Sequence, residues 1–194
     1  MSDAVTRRHS PAILLAGLVG CTLMLTIGDQ FHVHFDILSY PGPGLLFGQA
    51  WWVAPLFAAS TIGFIVLAWP FVAGAGNPTD RELATGTLWF FGSYVATAVF
   101  GHHVIPLTIV LLAVWLARIA RRSDRAAVVL YALILATAGT LVESFINHQG
   151  WAHYEVDSFL LVPAWLPVLY LQGAPTALAL TRRLRFGQPA RLGA

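Results

Sequence analysis

The sequence contains no lysine and a single cysteine, and only 10% of its 194 residues carry charge whereas 57% are hydrophobic. A soluble globular domain has about 25% charged and roughly 45–50% apolar residues, so the composition excludes an ordinary soluble protein. The lone Cys21 excludes a disulfide within the chain and a cysteine-based zinc site. The basic residues cluster at the ends of apolar segments instead of lining an exposed face, which excludes nucleic-acid binding.

Apolar residues are concentrated in six stretches, most of them close to the ~20 residues that a helix needs to cross a bilayer. The mean hydropathy is +0.70, and glycine, proline and other turn-forming residues separate the stretches. The sequence therefore predicts an all-α integral membrane protein, a single domain with six transmembrane helices. The predicted spans cover residues 11–27, 45–72, 83–100, 104–117, 126–147 and 159–181.

The eleven basic residues are all arginines, and they alternate with the predicted spans. They precede the first span, occupy the second and fourth loops and follow the sixth span, and the other loops have none. The positive-inside rule then predicts that both termini are cytoplasmic. Arginine- and alanine-rich usage is typical of a GC-rich bacterial genome, so we expect the cytoplasmic membrane of a bacterium. The clusters are Arg7 and Arg8; Arg81; Arg118, Arg121, Arg122 and Arg125; and Arg182, Arg183, Arg185 and Arg191.

Six of the seven histidines fall on the predicted outer side, together with several acidic residues. Imidazole and carboxylate groups bind zinc or iron, and His32 and His34 would share a face of an extended segment, so a metal-dependent membrane enzyme is one interpretation. The other is that these residues are amphipathic groups at headgroup level. Because the spacings match no strong metal motif, we predict no metal site. The outer set is His32, His34, His102, His103, His148 and His153, with Asp29, Asp36, Glu155 and Asp157.

Glu143 lies inside the fifth predicted span, with no arginine in the same half of the membrane. Acidic residues within a membrane are functional candidates by default. Glu143 stands one helical turn before Asn147, so the two share a face. It could contact a bound ligand or act as a hydrogen-bonded strut between helices. The prolines and Gly173 of the sixth span are expected to bend that helix and leave carbonyls that need partners, which favours a concave bundle able to hold a lipid.

Several motifs, in order along the chain, resemble the Insig family of sterol-responsive membrane proteins. Residues 49–55 read QAWWVAP, similar to the family's SAWWVPP at its second helix. Residues 69–70 (WP), 76–78 (GNP) and 81–82 (RE) are similar to its Y-P, G-E-P and R-E-W. Further matches fall in the last loop and sixth helix: Tyr154, Phe159-Leu160, Trp165-Leu166-Pro167, Gly173 and Arg182. The resemblance covers most of the chain and indicates a bacterial homologue of this family.

The resemblance implies a six-helix, non-enzymatic fold that binds oxysterols within the membrane and then holds partners such as Scap and the sterol-regulated reductase. We expect the lipid site among the second to fifth helices. Phe90 and Phe91 lie where the family keeps an aromatic residue near its sterol, and Ile105 lies close to a polar position of the family's site. The expected lipid-binding residues are Gln49, Trp52, Phe90, Phe91, Ile105 and Glu143.

Two departures from the family change the expected ligand and partner. Arg121 stands where the family has an acidic residue that matters for Scap, so a Scap-type partner is not expected. His102-His103 replace paired asparagines, and the polar group is lost at Ile105, so we expect a sterol or a neutral two-chain lipid such as a diacylglycerol. The prediction is a lipid-binding sensor or scaffold that forms a homo-oligomer, without catalytic residues or cofactor. A metal-dependent membrane enzyme and a small transporter remain the alternatives.

Overall fold

The structure, a computed structural model, describes residues 11–42, 47–73, 76–156 and 159–185. Within them it contains six α-helices, which confirms the predicted all-α architecture. These are α1 (Pro11–His34), α2 (Val53–Ala68), α3 (Asp80–Phe100), α4 (Val104–Ala120), α5 (Arg125–His148) and α6 (Trp165–Arg185). The predicted cytoplasmic Arg7, Arg8 and Arg191, the outer Asp157 and the first residues of the predicted second span lie outside the described residues.

Short elements lie at the two ends of the helix bundle. A 3-10 turn over Trp69–Val72 continues α2, and a two-residue strand β1 (Leu38–Ser39) pairs antiparallel with β2 (His153–Tyr154). This pairing joins the loop after α1 to the loop after α5. Within the part of the chain that the structure describes, three segments are both long and apolar enough to cross a membrane, namely Val53–Val72, Asp80–Phe100 and Arg125–His148, and Val104–Ala120 is a shorter apolar helix.

Three helix ends differ from the predicted spans by well over one helical turn. α1 continues to His34 instead of ending near residue 27, because its polar last turns are buried by other helices: Asp29 is 6% and His32 3% exposed. α2 begins at Val53, since the residues before it adopt a turn in which Gly48 has φ +89°. α6 begins at Trp165, so Pro163 precedes the helix and Pro167 lies in its first turn, where a missing N–H is tolerated.

α6 is the central helix of the bundle and packs against α2, α3, α4 and α5. Pro175 is a proline inside α6, and it cannot donate to the carbonyl of Leu171 one turn earlier. The indole Nε1 of Trp115 on α4 donates to this carbonyl at 2.9 Å. Gln172 Nε2 donates in return to the Leu111 carbonyl of α4, also at 2.9 Å. The expected unpaired carbonyl of the sixth helix therefore has its partner on α4.

The arginine clusters of the described chain meet at one end of the bundle. α3 begins there with a Thr79 side chain that accepts from the Glu82 backbone N–H at 3.0 Å, a helix cap. Glu82 then contacts Arg122 of the α4–α5 loop and Arg182 of α6. We call this end the arginine-rich end and the opposite one the outer end. Its cytoplasmic location stays a prediction from the positive-inside rule.

Candidate functional site

Two adjoining cavities lie in the middle of the bundle, and Leu25, Phe64, Phe90 and Tyr170 line both. The inner one has a volume of about 60 Å³ and extends along α6 past Gly173. The other, of about 30 Å³, reaches Glu143 near the outer end. We refer to the two together as the central cavity. Its walls come from α1, α2, α3, α5 and α6. Of the second to fifth helices, among which we expect the lipid site, only α4 does not line this cavity, and α1 and α6 contribute in addition.

The narrowness of the central cavity follows from close packing around α6. A Cβ added at Gly173 would lie 3.1 Å from the Phe90 ring, and one at Gly139 would lie 2.4 Å from the Tyr170 ring. Because glycine has no side chain at these two positions, the Phe90 and Tyr170 rings can pack directly against the helix backbone. Small-molecule sites usually have volumes of about 300–1,000 Å³. A whole lipid can therefore enter only if helices separate.

Glu143 forms the polar end of the central cavity. Its carboxylate accepts hydrogen bonds from the Tyr170 hydroxyl at 3.2 Å and from the Tyr154 hydroxyl at 3.4 Å. Asn147, one turn further along α5, accepts from the Tyr154 backbone N–H at 3.3 Å. Glu143 is thus a strut between α5, α6 and the outer loop, and it also lines the cavity. Both interpretations of this residue are compatible with its geometry.

A second acid, Asp29, is buried near the outer end of α1. The Tyr40 hydroxyl donates to both of its carboxylate oxygens, at 3.0 and 2.9 Å, and Gln49 Nε2 donates at 2.7 Å. Gln49 also donates to the Thr26 carbonyl at 3.0 Å, so it fixes the turn before α2 against α1. Burial of a carboxylate requires such compensation by donors. We call Asp29, Tyr40 and Gln49 the outer polar cluster.

The other predicted site residues are dispersed. Trp52 packs edge-on against Tyr40, with ring centroids 5.4 Å apart, so it belongs with the outer polar cluster. Phe91 packs against Phe31 of α1, with centroids 6.2 Å apart. Ile105 is 63% exposed and lines a separate surface depression beside His102 and His103. It does not reach the central cavity, because the buried face of α4 is formed by residues at helical spacing that exclude it: Val104, Leu107, Leu111, Trp115 and Ile119.

The outer histidines do not form one cluster. Because α1 continues through His34, the His32 and His34 side chains lie on different faces of a helix and not on one face of an extended segment. His32 is buried, with Nε2 3.0 Å from Thr97 Oγ1 and its ring stacked on Trp165, whereas His34 is exposed. Among the described residues, no group of three or more His, Cys, Asp or Glu side chains could hold a metal ion.

Asp29, Tyr40 and Tyr170 are the important polar groups that sequence reasoning left out of the site. Asp29 was assigned to a loop because the first span was predicted to end at residue 27. A helix long enough to include Gln30 would have placed Asp29 inside the membrane, where acidic residues are functional candidates. The two tyrosines give no local signal, because their importance arises from the distant carboxylates that they contact.

The fold and these sites define a polytopic helical membrane protein with a narrow apolar cavity that ends at Glu143. No family model matches the chain. The insulin-induced gene 1 protein of Gallus gallus is 29% identical over 182 residues, which cover 89% of this chain and 71% of that protein. The Homo sapiens protein is 29% identical over 183 residues, covering 88% and 64%. The chain spans about two thirds of the length of these relatives.

Among solved structures, the mycobacterial Insig homologue MvINS from Mycobacterium vanbaalenii superposes with a TM-score of 0.77 at 20% identity. The match covers 93% of this chain and 98% of that one. A cross-linked trimer of MvINS gives the same values. These similarities in sequence and in fold confirm the resemblance to the Insig family that the motifs at residues 49–55 and in α6 indicated.

Proposed function

We propose that this protein is a non-enzymatic lipid sensor or scaffold of the bacterial cytoplasmic membrane. Its ligand is a sterol or a neutral two-chain lipid of the diacylglycerol kind, and the central cavity is the place where that ligand enters the bundle. The observation that carries the proposal is an apolar cavity, lined by Phe64 and Phe90 and ended by Glu143, within an Insig-like fold. The contact between Glu143 and two tyrosine hydroxyls supplies groups able to bind a lipid hydroxyl or ester.

The dimensions of the cavity support a sensor in particular. A ligand that needs helices to separate binds the open form of the bundle better than the closed one, and it therefore shifts the population between them. Lipid tails outside the protein are as apolar as the cavity wall, so shape and a few hydrogen bonds must supply the preference. A single polar contact contributes only ~1 kcal/mol, roughly fivefold in affinity. Steric fit is consequently the stronger determinant.

The test is mass spectrometry of the lipid that co-purifies with the protein, applied to variants of α2. Ser60 lines the cavity, whereas its neighbour Ala59 is exposed on the same helix. Ser60→Phe should reduce the retained lipid roughly tenfold, because overpacking costs about 1–3 kcal/mol. Ala59→Phe is the matched control and should leave the lipid in place. Glu143→Gln should have an intermediate effect.

Equal lipid retention by both phenylalanine variants, at unchanged unfolding temperature, would show that the ligand does not use this cavity.

We propose in addition that the protein forms a homo-oligomer, since its structural relative MvINS has been crystallised as a cross-linked trimer. Mass measurement in mild detergent checks this expectation. A monomer over the whole accessible concentration range would contradict it.

A further inference from the structure

A second and larger depression opens at the arginine-rich end, between α3, α4 and α6. Its volume is about 700 Å³, and four arginines and a single glutamate contribute to its lining. We call it the basic groove. The charged residues that line it are Arg81, Arg118, Arg121, Arg122 and Glu82.

Much of the positive charge of the basic groove is not neutralised by the protein. Glu82 is shared between Arg122 and Arg182, and Arg122 also pairs with Asp124 at 2.7 Å. Among the described residues, the side chains of Arg81 and Arg121 form no ion pair and no hydrogen bond, and both residues are exposed. The groove therefore presents guanidinium groups that lack a carboxylate partner.

Arg118 is held in place without losing its charge. Its Nη1 donates to Gln172 Oε1 at 2.9 Å, and its guanidinium lies 4.9 Å from the centre of the Trp89 ring. Both partners are uncharged, so they orient the guanidinium and do not neutralise it. Gln172 is fully buried and in turn bonded to α4, which makes this arrangement part of the α4–α6 contact.

The groove changes from charged to apolar along α3 and α4. Arg81 and Arg121 lie at the helix ends, whereas Trp89 and Val114 line it towards the middle of the membrane. A ligand that complements this gradient has an anionic group at one end and a hydrocarbon chain at the other. Arginine binds phosphate oxygens particularly well, and basic pockets between transmembrane helices hold anionic headgroups.

We propose that the basic groove binds the phosphate of an anionic phospholipid from the adjoining leaflet. Arg81, Arg118 and Arg121 face the phosphate, and an acyl chain follows Trp89 and Val114. The site is separate from the central cavity, so it stands whether or not that cavity takes a lipid. Free inorganic phosphate offers the same anionic chemistry without the chain, and the experiment distinguishes the two.

The experiment uses the full chain in phosphatidylcholine nanodiscs that contain a minor fraction of phosphatidylglycerol. Native mass spectrometry then measures how much phosphatidylglycerol stays bound after release. Arg121→Gln should reduce it roughly tenfold, because the change removes a charge-assisted hydrogen bond to the phosphate. Arg125→Gln removes the same charge at the first residue of α5, outside the groove, and should change retention less than twofold.

Equal losses in the two variants would overturn the proposal, because they would indicate attraction by net charge alone. No preference of the wild-type chain for phosphatidylglycerol over phosphatidylcholine would also overturn it. Inorganic phosphate that displaces phosphatidylglycerol at micromolar concentration would assign the groove to a soluble anion instead. Both arginines are exposed, so unchanged unfolding temperatures are expected and should be verified.

Discussion

The two ends of the helix bundle satisfy their acidic groups in different ways. At the outer end, Asp29 and Glu143 receive hydrogen bonds from tyrosine hydroxyls and an amide, and within the described chain no arginine takes part. At the arginine-rich end, Asp80, Glu82 and Asp124 each contact at least one guanidinium. One end thus relies on neutral donors and the other on opposite charge.

The difference has consequences for specificity and adaptability. Neutral donors act only at short range and fixed angle, so the outer polar cluster holds α1, the first loop and the turn before α2 in one arrangement. Ion pairs act over longer distances and tolerate movement, but water and salt screen them. We therefore expect the outer polar cluster to fix its segments more strictly than the ion pairs fix the arginine-rich end, where we propose that an anion binds.

The largest effect is expected from removing the donors of Asp29. The double change Tyr40→Phe with Gln49→Leu should lower the free energy of unfolding by roughly 3 kcal/mol, since a buried acceptor is left without partners. Unfolding in mild detergent with added denaturant measures it. Tyr131→Phe, which removes only a bond to the Phe64 carbonyl, is the control and should cost ~1 kcal/mol.

A third change tests whether the loss comes from the acid itself. Asp29→Leu in the double variant should recover part of the stability, because replacing all partners by apolar groups removes the unsatisfied acceptor. No recovery would mean that lost packing around Tyr40 and Trp52 dominates. Packing, and not hydrogen bonding to the acid, would then be the main source of stability at the outer end.

A smaller effect is expected from Glu82→Gln at the opposite end. Its pairs with Arg122 and Arg182 are partly exposed, since the Glu82 side chain is 28% accessible. The change should cost roughly 1 kcal/mol or less. The difference from wild type should shrink in ~1 M salt, where the Debye length is only ~3 Å. The loss of unfolding free energy in the Tyr40→Phe, Gln49→Leu variant should be the same at low salt and in ~1 M salt.

The smallest effect on stability is expected from Asp124 in the α4–α5 loop, and it should depend on pH. The hydrogen bond from Arg122 holds the pKa of the Asp124 carboxyl below its ordinary value of 3.8. Its stabilising contribution is therefore complete above that value and is lost as the pH falls below it and protonates the group. Asp124→Asn should lower the unfolding temperature slightly at neutral pH, and the difference should disappear as the pH falls through the lowered pKa of the Asp124 carboxyl. A difference that persisted in acid would exclude the ion pair as its source.

Hydropathy and turn residues were sufficient to predict six helices, because membrane spans must be long and apolar. They failed where polar residues continue a helix, as at the end of α1, since Asp29 and His32 are stabilised by residues far along the chain. They also failed to predict which residues of α4 face the core. Ile105 follows the buried Val104 by one residue, and that step turns the Ile105 side chain away from the core. Such features depend on tertiary packing.

The site was predicted only in part for the same reason. Glu143 could be recognised because an acid within an apolar span is rare. The prolines and Gly173 of the sixth span predicted a concave bundle, but the sequence did not predict that Tyr170 and Gly173 line the cavity, because both have ordinary neighbours along the chain. Only their positions opposite Phe64 and Phe90 give them importance.

The proline inside α6 also bears on how the chain enters the membrane. On its own, the last helix would carry the Leu171 carbonyl into hydrocarbon without a partner, at a cost of several kcal/mol. The indole of Trp115 provides that partner. α4 precedes α6 in the order of synthesis, so the donor is already in the bilayer when the acceptor emerges from the ribosome. Full insertion of the final helix is thereby conditional on the correct placement of an earlier one.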